Sequence, residues 1–100
     1  MATTWNYRVM VWFNPPLKDI TFEPTFSINE VYYTDGKPTS YIANEAKVRG
    51  DDLEDIKFVL NKMEDALKKD ILYLGDKFPE IFDYDEFIKQ QKEWNWYQIK

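Results

Sequence analysis

The chain has 100 residues, 13 basic and 18 acidic side chains, a formal charge of -5 and a pI near 4.7. It contains neither His nor Cys, which excludes disulfides, thiolate catalysis, iron–sulfur clusters, Cys- or His-ligated zinc and Ser-His-Asp triads. Carboxylates, Lys, Tyr, Ser and Thr are left for any chemistry. With 44% hydrophobic and 31% charged residues the composition is that of a single globular domain spanning 1–100, and an aromatic share of 18% predicts a core built largely of packed rings.

The elements follow in chain order. Trp5, Tyr7, Val9, Val11 and Phe13 alternate with Asn6, Arg8, Met10 and Trp12, the period of two of a strand. Asn14-Pro15-Pro16 ends it, because proline has no N–H for a ladder, and a loop is expected over 14–20. A second strand is expected from Phe22 to Tyr33. Thr34-Asp35-Gly36-Lys37 reads as a hairpin turn, since Asp-Gly accepts positive φ, and a third strand is expected over roughly 39–48.

Asp51, with Glu54 three places on, has the form of a capping box and opens a helix expected at about 51–70. Leu53, Ile56, Leu60, Met63 and Leu67 supply its apolar spacing, with Val59 on the same stripe. Ile71 to Gly75 is a short apolar stretch and Phe78-Pro79 a break. A second helix is expected near 84–94, starting after Asp83, with Tyr84, Phe87, Ile88, Gln91 and Trp94 on one side. The expected fold class is α+β: a three-stranded antiparallel sheet (β-β-β-α) packed by one helix over 1–70. An aromatic C-terminal extension over 71–100 carries the second helix.

Three stretches together resemble a family of short bacterial and phage-type proteins. They are Trp5-Asn6-Tyr7-Arg8-Val9 at the start, Glu30-Val31-Tyr32-Tyr33 running into Asp35-Gly36-Lys37-Pro38, and the helix from Gly50-Asp51-Asp52-Leu53 to Met63-Glu64-Asp65-Ala66-Leu67. The resemblance covers roughly residues 4–70. It implies a fold and, the family having no established activity, no catalytic residues. A longer 14–26 segment and the 71–100 addition depart from the family's pattern.

Charge is segregated. Residues 1–50 are net neutral, 51–86 hold twelve acids and five lysines, and 87–100 are net positive. Asp83, Asp85 and Glu86 do not form an EF-hand loop, because Phe87 and Ile88 stand where an oxygen ligand and a glycine are needed; they read as acids favoured at a helix start. Glu30, among apolar strand residues, would need a second carboxyl such as Glu45 to act as a glycosidase-like pair, and is expected instead to pair with Arg8 or a lysine or to face water. Three isolated glycines form no phosphate cradle. No cofactor and no metal are expected.

Phe58 falls on the polar side of the first helix, among Glu54, Lys62, Asp65 and Lys69. Such a ring is either covered, the C-terminal segment being the expected cover, or presented to a partner. Trp94, Trp96 and Tyr97 either dock on the sheet face the first helix leaves open or enter a partner. The function expected is that of a non-enzymatic protein-binding module. Its concrete form is a phage-type inhibitor or accessory protein of the anti-defence (anti-CRISPR) kind, blocking a surface of a larger protein, such as a nucleic-acid-binding one, sterically and by negative charge. The candidate residues are Phe58, Glu54, Asp65, Asp83, Asp85, Glu86, Trp94, Trp96 and Tyr97. The alternatives are a homodimeric structural module, or a nucleic-acid binder using Lys89, Lys92 and Lys100 beside the tail aromatics, which the net negative charge disfavours. With no apolar run near the ~20 residues of a membrane span and no basic-then-apolar start, a cytoplasmic protein without membrane contact is expected.

Overall fold

The computed structural model describes residues 3–14 and 23–90. Most of the loop expected over 14–20, and Gln91, Lys92, Trp94, Trp96, Tyr97 and Lys100, lie outside the described residues. Five strands form one mixed, curled sheet in the order β3-β2-β1-β4-β5: β1 (Thr3–Asn14), β2 (Glu23–Thr34), β3 (Lys37–Tyr41), β4 (Ile71–Tyr73) and β5 (Ile81–Phe82). Helix α1 (Leu53–Ala66) lies between β3 and β4 in sequence, and a second helix, α2, occupies 84–90.

The long β1–β2 hairpin pairs antiparallel from Thr3↔Thr34 to Asn14↔Glu23, and this register assigns faces. Tyr7, Val9 and Val11 share one face with Ile28 and Phe26, and Arg8 and Met10 share the other with Asn29 and Ser27. The expected alternation holds along β1, but the centre of the strand is buried on both faces. Tyr7 and Val9 pack with Met63 and Ala66 of α1, whereas Met10 packs with Val31 and Leu72 on the opposite side. At the β2–β3 turn Asp35 and Gly36 both take positive φ, as the Asp-Gly pair predicts. A register shift between Tyr32 and Tyr33 sets Thr39 out of the ladder, where its hydroxyl bonds the Tyr32 carbonyl at 3.3 Å.

Two expectations are corrected here. The sheet has five strands, because 71–82, expected as part of an extension, supplies β4 and β5. β4 lies parallel to β1 (Met10↔Leu72, Val11↔Tyr73) and β5 pairs antiparallel with β4. Strands of three and two residues are too short to show a period, so only the tertiary pairing reveals them. The third strand also ends early, at Tyr41. Beyond it the chain stays tied to β2 through Ile42 N–H to the Glu30 carbonyl and Ala46 N–H to the Ile28 carbonyl, without a regular ladder.

A side chain adds to these ties: Asn29, fully buried on the Met10 face. Its amide Nδ2 donates to the carbonyls of Ile42 (2.9 Å) and Ala43 (3.2 Å), and its Oδ1 accepts from the Ser27 hydroxyl (2.6 Å). A buried amide is tolerated because it is bonded at both ends.

Helix α1 is shorter than expected and is capped one residue later. Asp52 accepts the Asp55 N–H at 2.8 Å, and the Asp55 carboxylate reaches back to the Asp51 N–H at 3.2 Å. A Cβ on Gly50 would collide with the Asp55 Cβ, so this entry turn requires glycine. Asp52→Ala is therefore expected to lower stability by about 0.5–2 kcal/mol. Asp51→Ala, which removes no cap, should stay within about 0.5 kcal/mol of the parent. Urea unfolding of the two variants checks this, and equal losses would contradict the cap assignment.

Candidate functional surface

Both helices sit on the same face of the sheet. α1 lies over Tyr7, Val9, Ile28 and Ile71, with Met63 and Ala66 buried beneath it and Val59 packed alongside. α2 lies at the other end, where Phe87 meets Phe13, Phe26 and Phe82 at centroid distances of 6.4, 6.3 and 5.5 Å. Tyr73 meets Phe82 edge-on at 5.5 Å and Tyr84 meets Phe26 at 5.8 Å, so this end of the core is the ring-packed cluster that the composition predicts. Asp83 caps α2 by accepting the Glu86 N–H at 3.0 Å, and the Glu86 carboxylate accepts from Gln90 Nε2 at 3.3 Å.

Between the helices, neither α1 nor α2 fills the space over the sheet. A cleft of about 870 Å³ opens there, with Val9, Phe26, Ile71 and Phe82 among its apolar walls and Leu67 from the end of α1 on one side. Asp70, Asp83 and Asp85 also line it, with Lys69 the single cation among the residues that do. No salt bridge joins these three aspartates to a lysine or arginine among the described residues.

The apolar stripe of α1 is split. The side formed by Ile56, Val59, Met63 and Ala66 meets the sheet, while Leu53, Leu60 and Leu67 stay 77%, 50% and 69% exposed. At about 100° per residue these leucines, spaced by seven, fall within ~40° of one another and form a ridge leading to the cleft. The sequence pattern counts all of them as core facing, but α1 presents only half of its stripe to the sheet.

Phe58 is 59% exposed, and most of the aromatic C-terminal segment expected as its cover lies outside the described residues. Lys62 Nζ stands 5.5 Å from its ring centroid, a cation–π contact. Glu54 and Asp65 flank it as the helical period requires, but each is matched by a lysine at i+3. Lys57 lies 3.6 Å from Glu54 and Lys68 lies 3.6 Å from Asp65. Such exposed pairs add little stability, yet they cancel much of the charge on this outer face. The candidate residues therefore fall into two groups: Glu54, Phe58 and Asp65 on the outer face of α1, and Asp83, Asp85 and Glu86 at the start of α2, of which Asp83 and Asp85 line the cleft.

Glu30 is not paired with Arg8, for a geometric reason. In the β1–β2 register Glu30 lies opposite Tyr7, so it occupies the face that Arg8 does not. Arg8 donates instead to the Tyr33 hydroxyl (2.7 Å) and the Asp70 carbonyl (2.6 Å), tying β1 to the α1–β4 connection. Glu30 accepts from the Tyr32 hydroxyl at 3.2 Å. Glu45 lies in the irregular segment beyond β3 and is exposed.

Burial raises the Tyr7 phenol above its ordinary value, and the nearby Glu30 charge raises it further. The Tyr32 phenol is raised by desolvation, then by its hydrogen bond and proximity to Glu30. A raised folded-state value means stability present below the normal tyrosine range and lost as pH climbs through it. Glu30→Gln should lower both titrations without returning Tyr7 to normal, because burial, the larger cause, persists. Tyrosinate absorbance during alkaline titration reads this, and an unmoved curve would contradict it.

Among the described residues no group of three acids converges on a point that could hold a metal, and no helix is long and apolar enough to cross a membrane. In comparisons with known proteins, no family model, no curated protein and no solved structure matches the chain.

Of the features of this surface, the cleft and the leucine ridge are not among those expected from the sequence. The heptad spacing of Leu53, Leu60 and Leu67 was the one local sign of the ridge. The cleft joins Phe26, Leu67, Asp70 and Phe82 across the whole fold and had no local sign.

Proposed function

We propose that the protein is a binding module that acts by contact on a larger protein, occupying its surface through apolar side chains and negative charge and performing no turnover. The observation carrying this reading is the exposure of Leu53, Leu60 and Leu67 along one side of a short helix, beside a cleft whose aspartates lack salt-bridge partners among the described residues. Contiguous apolar surface with a polar rim is what protein–protein sites present. The lack of imidazole and thiol, the -5 charge and the resemblance to phage-type proteins support an inhibitor or accessory role of the anti-defence kind, with a basic nucleic-acid-binding protein as the target.

Affinity capture from host lysate tests this, run beside a Leu53→Glu/Leu60→Glu double variant. Both leucines are exposed, so the variant keeps its fold. A partner retained by the parent and lost by the variant is expected. Equal capture by both, or a stable homodimer by light scattering with no partner, would overturn the reading.

A further inference from the structure

The cleft between the helices and the leucine ridge form one continuous track. It has an apolar floor (Val9, Phe26, Ile71, Phe82), an extension along α1 and an acidic rim. The geometry points to a specific occupant, an inference that rests on the binding role proposed above: the track seats a basic polypeptide segment of the partner, one large apolar side chain entering the cleft and flanking lysines or arginines meeting Asp70, Asp83 and Asp85.

Three observations carry this. The cleft, about 870 Å³, lies within the roughly 300–1,000 Å³ of sites that enclose a ligand group, so it can take a whole side chain. The ridge from Leu53 to Leu67 runs about 21 Å at 1.5 Å per residue, which suits an extended or helical chain better than a compact small molecule. The rim offers three carboxylates against Lys69 alone, and none of the three is held in a salt bridge among the described residues. A cationic segment gains from that field, whereas a second copy of this chain, itself at -5, is repelled by it. The outer face around Phe58 is the weaker candidate, because Lys57 and Lys68 already pair with its acids and Lys62 lies over the ring itself.

A random-peptide display library panned against the immobilised full-length chain tests the assignment. The expected pool is net positive, each peptide carrying at least one Leu, Ile, Met, Phe or Trp. Synthetic copies should bind about tenfold more weakly to Asp70→Asn/Asp85→Asn and to Leu67→Ser, and more weakly again in raised salt. Glu54→Gln/Asp65→Asn should bind as the parent does. All the substituted positions are exposed, and circular dichroism confirms that each variant is folded. An enriched pool that is acidic or lacks large apolar residues, binding indifferent to the cleft variants, or no enrichment at all would overturn the inference. Should a host partner still be captured in that event, the binding role stands and only its seat is wrong; should none be captured, both fall.

Discussion

Asn29→Asp should leave the chain largely unfolded at neutral pH. The Asn29 amide donates to two backbone carbonyls, Ile42 and Ala43, from a fully buried position. A carboxylate there keeps the shape, loses both donors and sets a buried charge against two carbonyl oxygens. Uncompensated buried charges cost about 3–5 kcal/mol, a large fraction of the ~5–15 kcal/mol that holds a domain together. Asn29→Ala removes the donors without adding charge and leaves the carbonyls near the surface segment 42–50, where water reaches them more easily; about 1–3 kcal/mol is expected. Urea unfolding followed by circular dichroism should rank the parent above Asn29→Ala and Asn29→Ala above Asn29→Asp. An aspartate variant as stable as the parent would mean that the segment is held by something else.

The second large effect concerns 71–82. Leu72 is the β4 side chain that completes the cluster of Met10 and Val31, with Leu74 and Phe78 packed against it, and Phe82 sits at the centre of the aromatic end. Leu72→Ala should cost about 2–5 kcal/mol, since its neighbours belong to β1, to β2 and to the connection after β4 and cannot all close on the cavity. A chain ending at Asp70 loses both clusters together and should not fold, showing little near-ultraviolet dichroism and no cooperative melt. A cooperative transition in the 1–70 fragment would show that β4 and β5 only decorate a self-sufficient β-β-β-α unit.

What was legible in the sequence was local. The period of β1, the Asp35-Gly36 turn, the capped start of α1 and the helix after Asp83 are each written in adjacent residues, and each stands within a residue or two of its expected place. What was not legible was pairing at a distance. β4 is recruited by β1 across some sixty residues, and no pattern within Ile71-Leu72-Tyr73 announces that. Asn29 left a faint sign: it stands two places from Val31, on the core-facing phase of its strand, where a polar residue implies a buried hydrogen bond. The stripe of α1 shows the reverse error. Its amphipathic spacing is real, but periodicity tells which residues could be buried and not how much of a helix the sheet beneath it covers. The acids of the candidate surface were readable as charge. Their separation into a neutralised outer face and an uncompensated cleft depends on which lysines lie within 4 Å, and only the fold decides that.

Amide hydrogen exchange on the free protein and on its complex with the captured partner tests the account most directly. Slowed exchange confined to α1 and to the two segments that border the cleft, 67–71 and 81–85, is the predicted result. Protection falling instead on β3 and the Met10 face of the sheet, with α1 and the cleft unchanged, would contradict it.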